Sequence, residues 1–310
     1  MSQPKNLPQH AVRLRTYTQL EQYVRAFAAG HLNLLMILGN PGIGKTRHVR
    51  QVLGNASCWI GGQATAFGIY LQAYEHRHEP LIFDDVDGLH ADRTAVRLLK
   101  ALCQSERCKS VHWLTEAAAL ENRGVPRRFS TTSRVVMIGN HWQTLTADVA
   151  ALEDRGHLLL FEPSSTEIHA QAAGWFWDQE IFDLVGDHLH LMEHHSLRTY
   201  VRAWELKQAG LDWRRGILSR CLSGAALEVV RLKSDPAFTS EAERVHAFVQ
   251  SGAGCRATYF SHAQKLQPAQ PAKIVLLQAA PPAPLCHGAC GGACRPQAAF
   301  GSNGMVEDDV

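Results

Sequence analysis

The 310 residues carry 31 basic and 29 acidic side chains, a formal charge of +2, with 45% apolar and 19% charged residues. This length accommodates one large α/β domain and a smaller helical one, and the near-balanced charge gives no electrostatic mandate for nucleic acid while leaving room for a local basic groove. No apolar run reaches the roughly 18 residues of a membrane span, and the polar start Met1-Ser2-Gln3-Pro4-Lys5 lacks a signal-peptide core, so the cytoplasm is the expected compartment.

In chain order, Leu20, Tyr23, Val24 and Phe27 share one face of a helix predicted from Tyr17 to Ala29, with Gly30 as its stop. Leu34-Leu35-Met36-Ile37-Leu38 predicts a buried strand, Lys45 to Leu53 a helix ended near Gly54, and Ser57 to Ile60 a second strand. A helix around Thr65 to Tyr74 and a third strand, Leu81-Ile82-Phe83, follow. Ala95, Leu98, Leu99 and Leu102 then recur at the spacing of a helix packed on a sheet. Further strands are expected at Ser110 to Trp113, Arg134 to Ile138 and His157 to Phe161. Up to Phe161 this alternation is the rhythm of a parallel sheet covered by helices. After Pro163 and Ser164-Ser165 the pattern is helical to about Ala247. Residues 267–310 are rich in Pro, Ala and Gly and are expected to be a disordered tail.

The loop after the first of these strands reads Gly39-Asn40-Pro41-Gly42-Ile43-Gly44-Lys45-Thr46, which fits G-x-x-x-x-G-K-[ST] between a strand and a helix. Glycines let successive N–H groups curl toward phosphate oxygens, and the start of the following helix adds its positive end. In this pattern Lys45 neutralises the β- and γ-phosphates of ATP, and Thr46 places its hydroxyl on Mg2+. The third strand ends in Asp84-Asp85. There one carboxylate holds Mg2+ through water and the next polarises the attacking water, although a strand-end aspartate equally caps a turn. Val135-Val136-Met137-Ile138-Gly139-Asn140 puts an amide at the tip of the strand expected between these two.

The motif order with a helical unit behind it resembles the AAA+ ATPase family. That resemblance implies a three-layer αβα sandwich with a parallel sheet of order 5-1-4-3-2 over residues 12–163, a helical lid over 164–250, and a Mg2+-dependent ATPase working as a homo-oligomer. It implies that Asn140 is the polar sensor of the γ-phosphate. It also implies that Arg155, just before the fifth strand, reaches a neighbour's γ-phosphate, and that Arg198, or Arg202 one turn later, touches the nucleotide from the lid. AAA+ proteins usually carry Asp-Glu where this chain has Asp84-Asp85, with Asp87 close by, so poor hydrolysis by a nucleotide-dependent switch or scaffold is the alternative. Val125-Pro126 and Phe129, leading into the Asn140 strand, resemble phage and mobile-element members.

Between Glu106 and Ser133 basic and aromatic residues interleave: Arg107, Lys109, Trp113, Arg123, Arg127, Arg128 and Phe129. Such a stretch suits a single strand of DNA, held by phosphate contacts and base stacking, or is an ordinary loop with a core tryptophan; Arg127 or Arg128 could also act on a neighbour. Trp175, Phe176, Trp177 and Phe182 read as lid core. Of the 17 histidines, His190 and His194 have the i, i+4 spacing of a shared metal but lack an evident third ligand beside them. Cys286, Cys290 and Cys294 are spaced unlike a structural zinc knuckle.

Overall fold

The computed structural model describes residues 11–266, apart from residues 55, 87–91, 114–116, 141–151, 153, 177, 193–194 and 223. Asp87, Trp177, His194 and the tail with Cys286, Cys290 and Cys294 lie outside the described residues.

Six parallel strands form the central sheet: β1 (Val12–Leu14), β2 (Leu34–Leu38), β3 (Cys58–Gly61), β4 (Leu81–Asp84), β7 (Val135–Gly139) and β8 (His157–Phe161). Their order is β1-β8-β2-β7-β4-β3. Five of the six strands expected from the sequence thus run 5-1-4-3-2, and β1 is added at the edge beside the strand His157–Phe161. Nothing in the apolar pattern marks β1, because three residues at an edge are too few to show a periodicity. It is held by pairing Val12 to Leu159 and Leu14 to Phe161, and by Arg13 against Glu162.

Both faces of this sheet are covered, which is why its strands are apolar throughout. Alternate residues split cleanly between two cores. Leu34, Met36, Leu38, Leu81, Phe83, Val135 and Leu158 join α3 (Ala66–Glu75) and α4 (Arg93–Leu102). Leu35, Ile37, Ile82, Val136, Leu159 and Phe161 join α1 (Tyr17–Ala28), α2 (Lys45–Leu53) and the helices that follow the sheet.

The strand expected at Ser110 to Trp113 does not enter the sheet. β5 (Lys109–His112) pairs antiparallel with β6 (Arg128–Thr131) as a separate hairpin, with the short helix α5 (Ala117–Glu121) between them. Trp113 and Phe129 are only 7% exposed. They pack edge-on or tilted against Tyr70, at 5.4 and 5.2 Å between ring centres. Lys109 is buried as well. A stacking platform for bases at these rings is therefore ruled out; they fill the core, and burial of aromatic area wins over display.

Beyond Phe161 the chain is helical: α6 (Ser165–Ala173), α7 (Gln179–His188), a 3₁₀ turn (Leu189–Leu191), α8 (Arg198–Gln208), α9 (Trp213–Cys221), α10 (Gly224–Ser234), α11 (Glu241–Gln250) and α12 (Arg256–Lys265). α6 to α9 share the sheet's second core through Phe176, Phe182, Tyr200 and Ile217, whereas α10 to α12 gather around Val229, Phe248 and Tyr259. α12 lies past the point near residue 250 where the sequence reading ends the helical unit. It buries little more than Tyr259 and Ala263, so it has no clear apolar stripe.

Candidate nucleotide site

The register of the sheet brings the candidate residues together. β7 lies between β2 and β4, with Leu38 opposite Gly139 and Asp84 opposite Ile138. Gly39, Asp85 and Asn140 therefore leave the sheet side by side at its C-terminal edge, the position where open α/β sheets bind ligands.

The loop turns through Gly42 (φ +79°) and Gly44 (φ +83°), a region that side-chain-bearing residues rarely occupy. Helices α1, α3, α4, α6, α7, α9 and α11 are capped by the side chains of Thr16, Thr65, Asp92, Ser164, Asp178, Asp212 and Ser240. α2 begins at Gly44 with no side-chain cap, as α8 and α12 also do at Leu197 and Cys255. Its first N–H groups are left for another acceptor, as a phosphate site requires.

Three side chains form one hydrogen-bonded chain here, beside a separate pair. The Lys45 ammonium donates to the carbonyls of Gly39 (2.7 Å) and Asn40 (2.9 Å) and to Oδ1 of Asn140 (3.1 Å). Asn140 Nδ2 donates to Oδ1 of Asp85 at 3.0 Å. Separately, Thr46 Oγ1 donates to Oδ1 of Asp84 at 2.9 Å. Lys45 is 5% exposed, and burial pulls its ammonium down to about 8 against the opposing influence of Asp85 and Asp84. Burial likewise raises Asp84, with the Thr46 hydroxyl working the other way. Asp85 has a φ of +48°, a costly conformation for a residue with a Cβ, and its N–H donates to Ile138 O at 3.1 Å. The strain sits on the residue that turns its carboxylate toward Asn140. The hydroxyl of Thr46 and the carboxylate of Asp84 are hard oxygen donors of the kind Mg2+ takes when it keeps most of its waters, so the residues present fit that ion. Among the described residues no group of three or more His, Cys, Asp or Glu side chains is placed to hold a metal by itself. The ring of His190 contacts the carbonyl of Lys265.

Arg198 and Arg155 stand apart from this chain. Arg198 is exposed at the start of α8, and a Cβ on Gly42 would meet its Cδ and the Ser196 hydroxyl. Arg202 instead lines a cleft of about 320 Å³ between α8 and α9 with Glu205, Leu206 and Ile217. Arg155 is exposed and donates to the carbonyl of Lys100 at 2.8 Å. It precedes His157, which pairs with Leu35. Four residues of strand, roughly 13 Å at about 3.3 Å per residue, separate that level from Gly39. Arg155 thus lies toward the opposite end of the sheet from the loop of its own chain.

Three contacts of the loop escape sequence reasoning. The Tyr17 hydroxyl donates to Ile43 O at 2.7 Å, the Leu197 N–H donates to Gly42 O at 2.9 Å, and Ser196 Oγ donates to the same oxygen at 3.3 Å. Thr16 and Gln19 spell a capping box that the sequence does display. Nothing local, however, tells that Tyr17 or Ser196 meets a loop far away in the chain.

No family model matches the chain. A protein of Enterobacteria phage T4, described as an uncharacterized 36.7 kDa protein in the nrdC-mobD intergenic region, is 32% identical over 120 residues, which cover 36% of this chain. The match spans 37% of the phage protein, little more than a third of its length. Among solved structures, the chain is similar to domain III of the Thermotoga maritima replication initiation protein DnaA, with 15% identity, a TM-score of 0.41, and coverage of 71% of this chain and 100% of that one. It is similar to Thermotoga maritima RuvB, with 13% identity, a TM-score of 0.41, and coverage of 81% and 86%. It is also similar to NtrX from Brucella abortus, a structure in complex with ATP, with 13% identity, a TM-score of 0.42, and coverage of 85% and 70%.

Proposed function

We propose that this chain is an ATP-binding ATPase of the AAA+ type, active as a homo-oligomer in the cytoplasm, that couples nucleotide turnover to remodelling of a macromolecule. The observation that carries the proposal is the single hydrogen-bonded chain Lys45, Asn140, Asp85, beside Thr46 and Asp84, at the C-terminal edge of three adjacent strands. Gly39 to Thr46 wrap the triphosphate. Lys45 exchanges the Gly39 and Asn40 carbonyls for β- and γ-phosphate oxygens. Thr46 and Asp84 hold Mg2+, which when bound neutralises phosphate charge during transfer. Asp85 takes the proton of the attacking water, Asn140 orients that water, and Arg198 closes on the phosphates from the lid, residues 164–250. Arg155, placed toward the far end of the sheet, serves the site of a neighbour, where a permanently charged planar fork matches phosphate oxygens.

A second reading, a switch or scaffold that binds ATP with little hydrolysis, is favoured by two features of Asp85. Its carboxylate is one methylene, about 1.5 Å, shorter than a glutamate's, and misplacement on that scale costs heavily in rate. That carboxylate is also already occupied by Asn140. DNA remains a candidate substrate. With Trp113 and Phe129 buried, its contacts at the hairpin would be to phosphates, through exposed Arg107 and Arg128, with little base stacking.

Steady-state hydrolysis by wild type, Lys45→Ala, Arg155→Ala and an equimolar mixture of the two variants tests the reading. Each variant alone is expected to lose on the order of 1,000-fold in rate. The mixture regains activity, because an intact Lys45 site then meets an intact Arg155. No recovery on mixing removes the shared site. Negligible hydrolysis in wild type together with ATP-dependent assembly leaves the switch.

A further inference from the structure

Behind the phosphate loop lies a buried row of three side chains that the scheme above does not use. The Tyr200 hydroxyl is 2.7 Å from Nδ1 of His169 and 3.0 Å from Nε2 of His195. His169 belongs to α6, Tyr200 to α8, and His195 to the segment leading into α8, so one oxygen ties three stretches together. All three residues are buried. The His169 ring stacks on Phe182 with centres 3.9 Å apart, and Nδ1 of His195 lies 3.3 Å from Sδ of Met192. Burial pushes both imidazoles down to about 4, so they are neutral at physiological pH.

The sulfur sets the direction of the row. A thioether only accepts, so His195 donates to it from Nδ1 and, being neutral, has an acceptor at Nε2. The Tyr200 O–H donates to that Nε2, and its oxygen accepts the Nδ1–H of His169. In this arrangement every polar hydrogen of the row has an acceptor, and such buried networks specify a geometry because a break strands a polar group.

What the row holds is the segment next in the chain. His195 is followed by Ser196 and Leu197, which grip the Gly42 carbonyl, and then by Arg198. We propose that His169, Tyr200 and His195 are positioning residues for the nucleotide site, setting the height of the Ser196–Leu197–Arg198 segment over Gly42 so that Arg198 faces the phosphates. This rests on the ATP-binding reading above.

The test is a double-mutant cycle on ATP affinity, read with a fluorescent ATP analogue, over wild type, Tyr200→Phe, Arg198→Ala and the double variant, with Lys45→Ala alongside. Tyr200→Phe keeps the ring against Phe176 and removes only the hydroxyl. It is expected to weaken binding about tenfold. The double variant is expected to bind no worse than Arg198→Ala alone, because the row acts through Arg198. A Tyr200→Phe affinity within twofold of wild type, or losses that add fully, overturns the proposal. A lowered melting temperature does not bear on it, since core packing alone predicts that. If Tyr200→Phe does not fold, His195→Phe enters the same cycle with the same expectations. If wild type and Lys45→Ala bind alike, the nucleotide reading itself falls and the positioning role with it.

Discussion

Lys45 and Lys109 are both buried lysines, 5% and 1% exposed, and both are held by backbone carbonyls and a single asparagine. Lys45 donates to Gly39 O, Asn40 O and Asn140 Oδ1. Lys109 donates to Ser133 O at 2.5 Å and to Asn33 Oδ1 at 2.8 Å, and the Asn33 amide in turn contacts the Gln104 carbonyl. Burial lowers the pKa of each ammonium. The difference is in what surrounds the two cations. Lys45 sits under a loop whose tip, Asn40 and Pro41, is exposed, beside Asp84, Asp85 and an uncapped helix start. Lys109 ties a hairpin strand to the loops before β2 and β7, with the buried thiol of Cys103 nearby. A buried lysine thus marks a site only where its partners can be exchanged for a ligand.

That contrast can be broken by mutation. Lys45→Ala should weaken ATP binding on the order of 100-fold while leaving the melting temperature within a few degrees, since water reaches the open loop and rehydrates the freed carbonyls. Titration with an ATP analogue and a thermal melt decide it. A large stability loss with intact binding would reverse the assignment of the two lysines. Lys109→Met should do the opposite. Asn33 Oδ1 and Ser133 O would be left without their donor in a closed interior, costing about 1–3 kcal/mol in denaturant unfolding. ATP affinity should stay within twofold. Equal affinity losses in both variants would erase the distinction.

The smallest effect sharpens it electrostatically. With its pKa near 8, Lys45 is half protonated at pH 8 before nucleotide arrives. The bound polyphosphate raises that pKa. The complex therefore holds more protons than the free protein, binding takes up as much as about half a proton at pH 8, and affinity falls as pH rises through 8. Calorimetric titrations in two buffers of different ionisation enthalpy should give different apparent enthalpies at pH 8. Identical values would mean that Lys45 is charged throughout.

How much could be read from the sequence follows the range of the interactions involved. β2 and α2 have the bounds the sequence predicts because a strand buried on both faces is a continuous apolar run, and a glycine loop is a local device. The sequence does not predict β6, since Arg-Phe-Ser-Thr alternates only briefly and its partner is many residues away. Arg107, Trp113 and Phe129 carry the composition of a nucleic-acid surface. Burial depends on α3 and the hairpin closing over the rings, which composition does not encode.

By itself, then, the sequence determined the parallel sheet, the loop Gly39 to Thr46 and the residues at the ends of its neighbouring strands, because period, turn chemistry and charge act over a few residues. Only the tertiary structure decided which polar groups meet. The register of β2, β7 and β4 set Lys45 on Asn140 and Asn140 on Asp85, and packing of α6 and α8 set His169 and His195 on Tyr200, thereby holding Ser196 on Gly42. Such contacts form between distant segments, and their free energy comes from closing a shared dry interior that no single segment possesses.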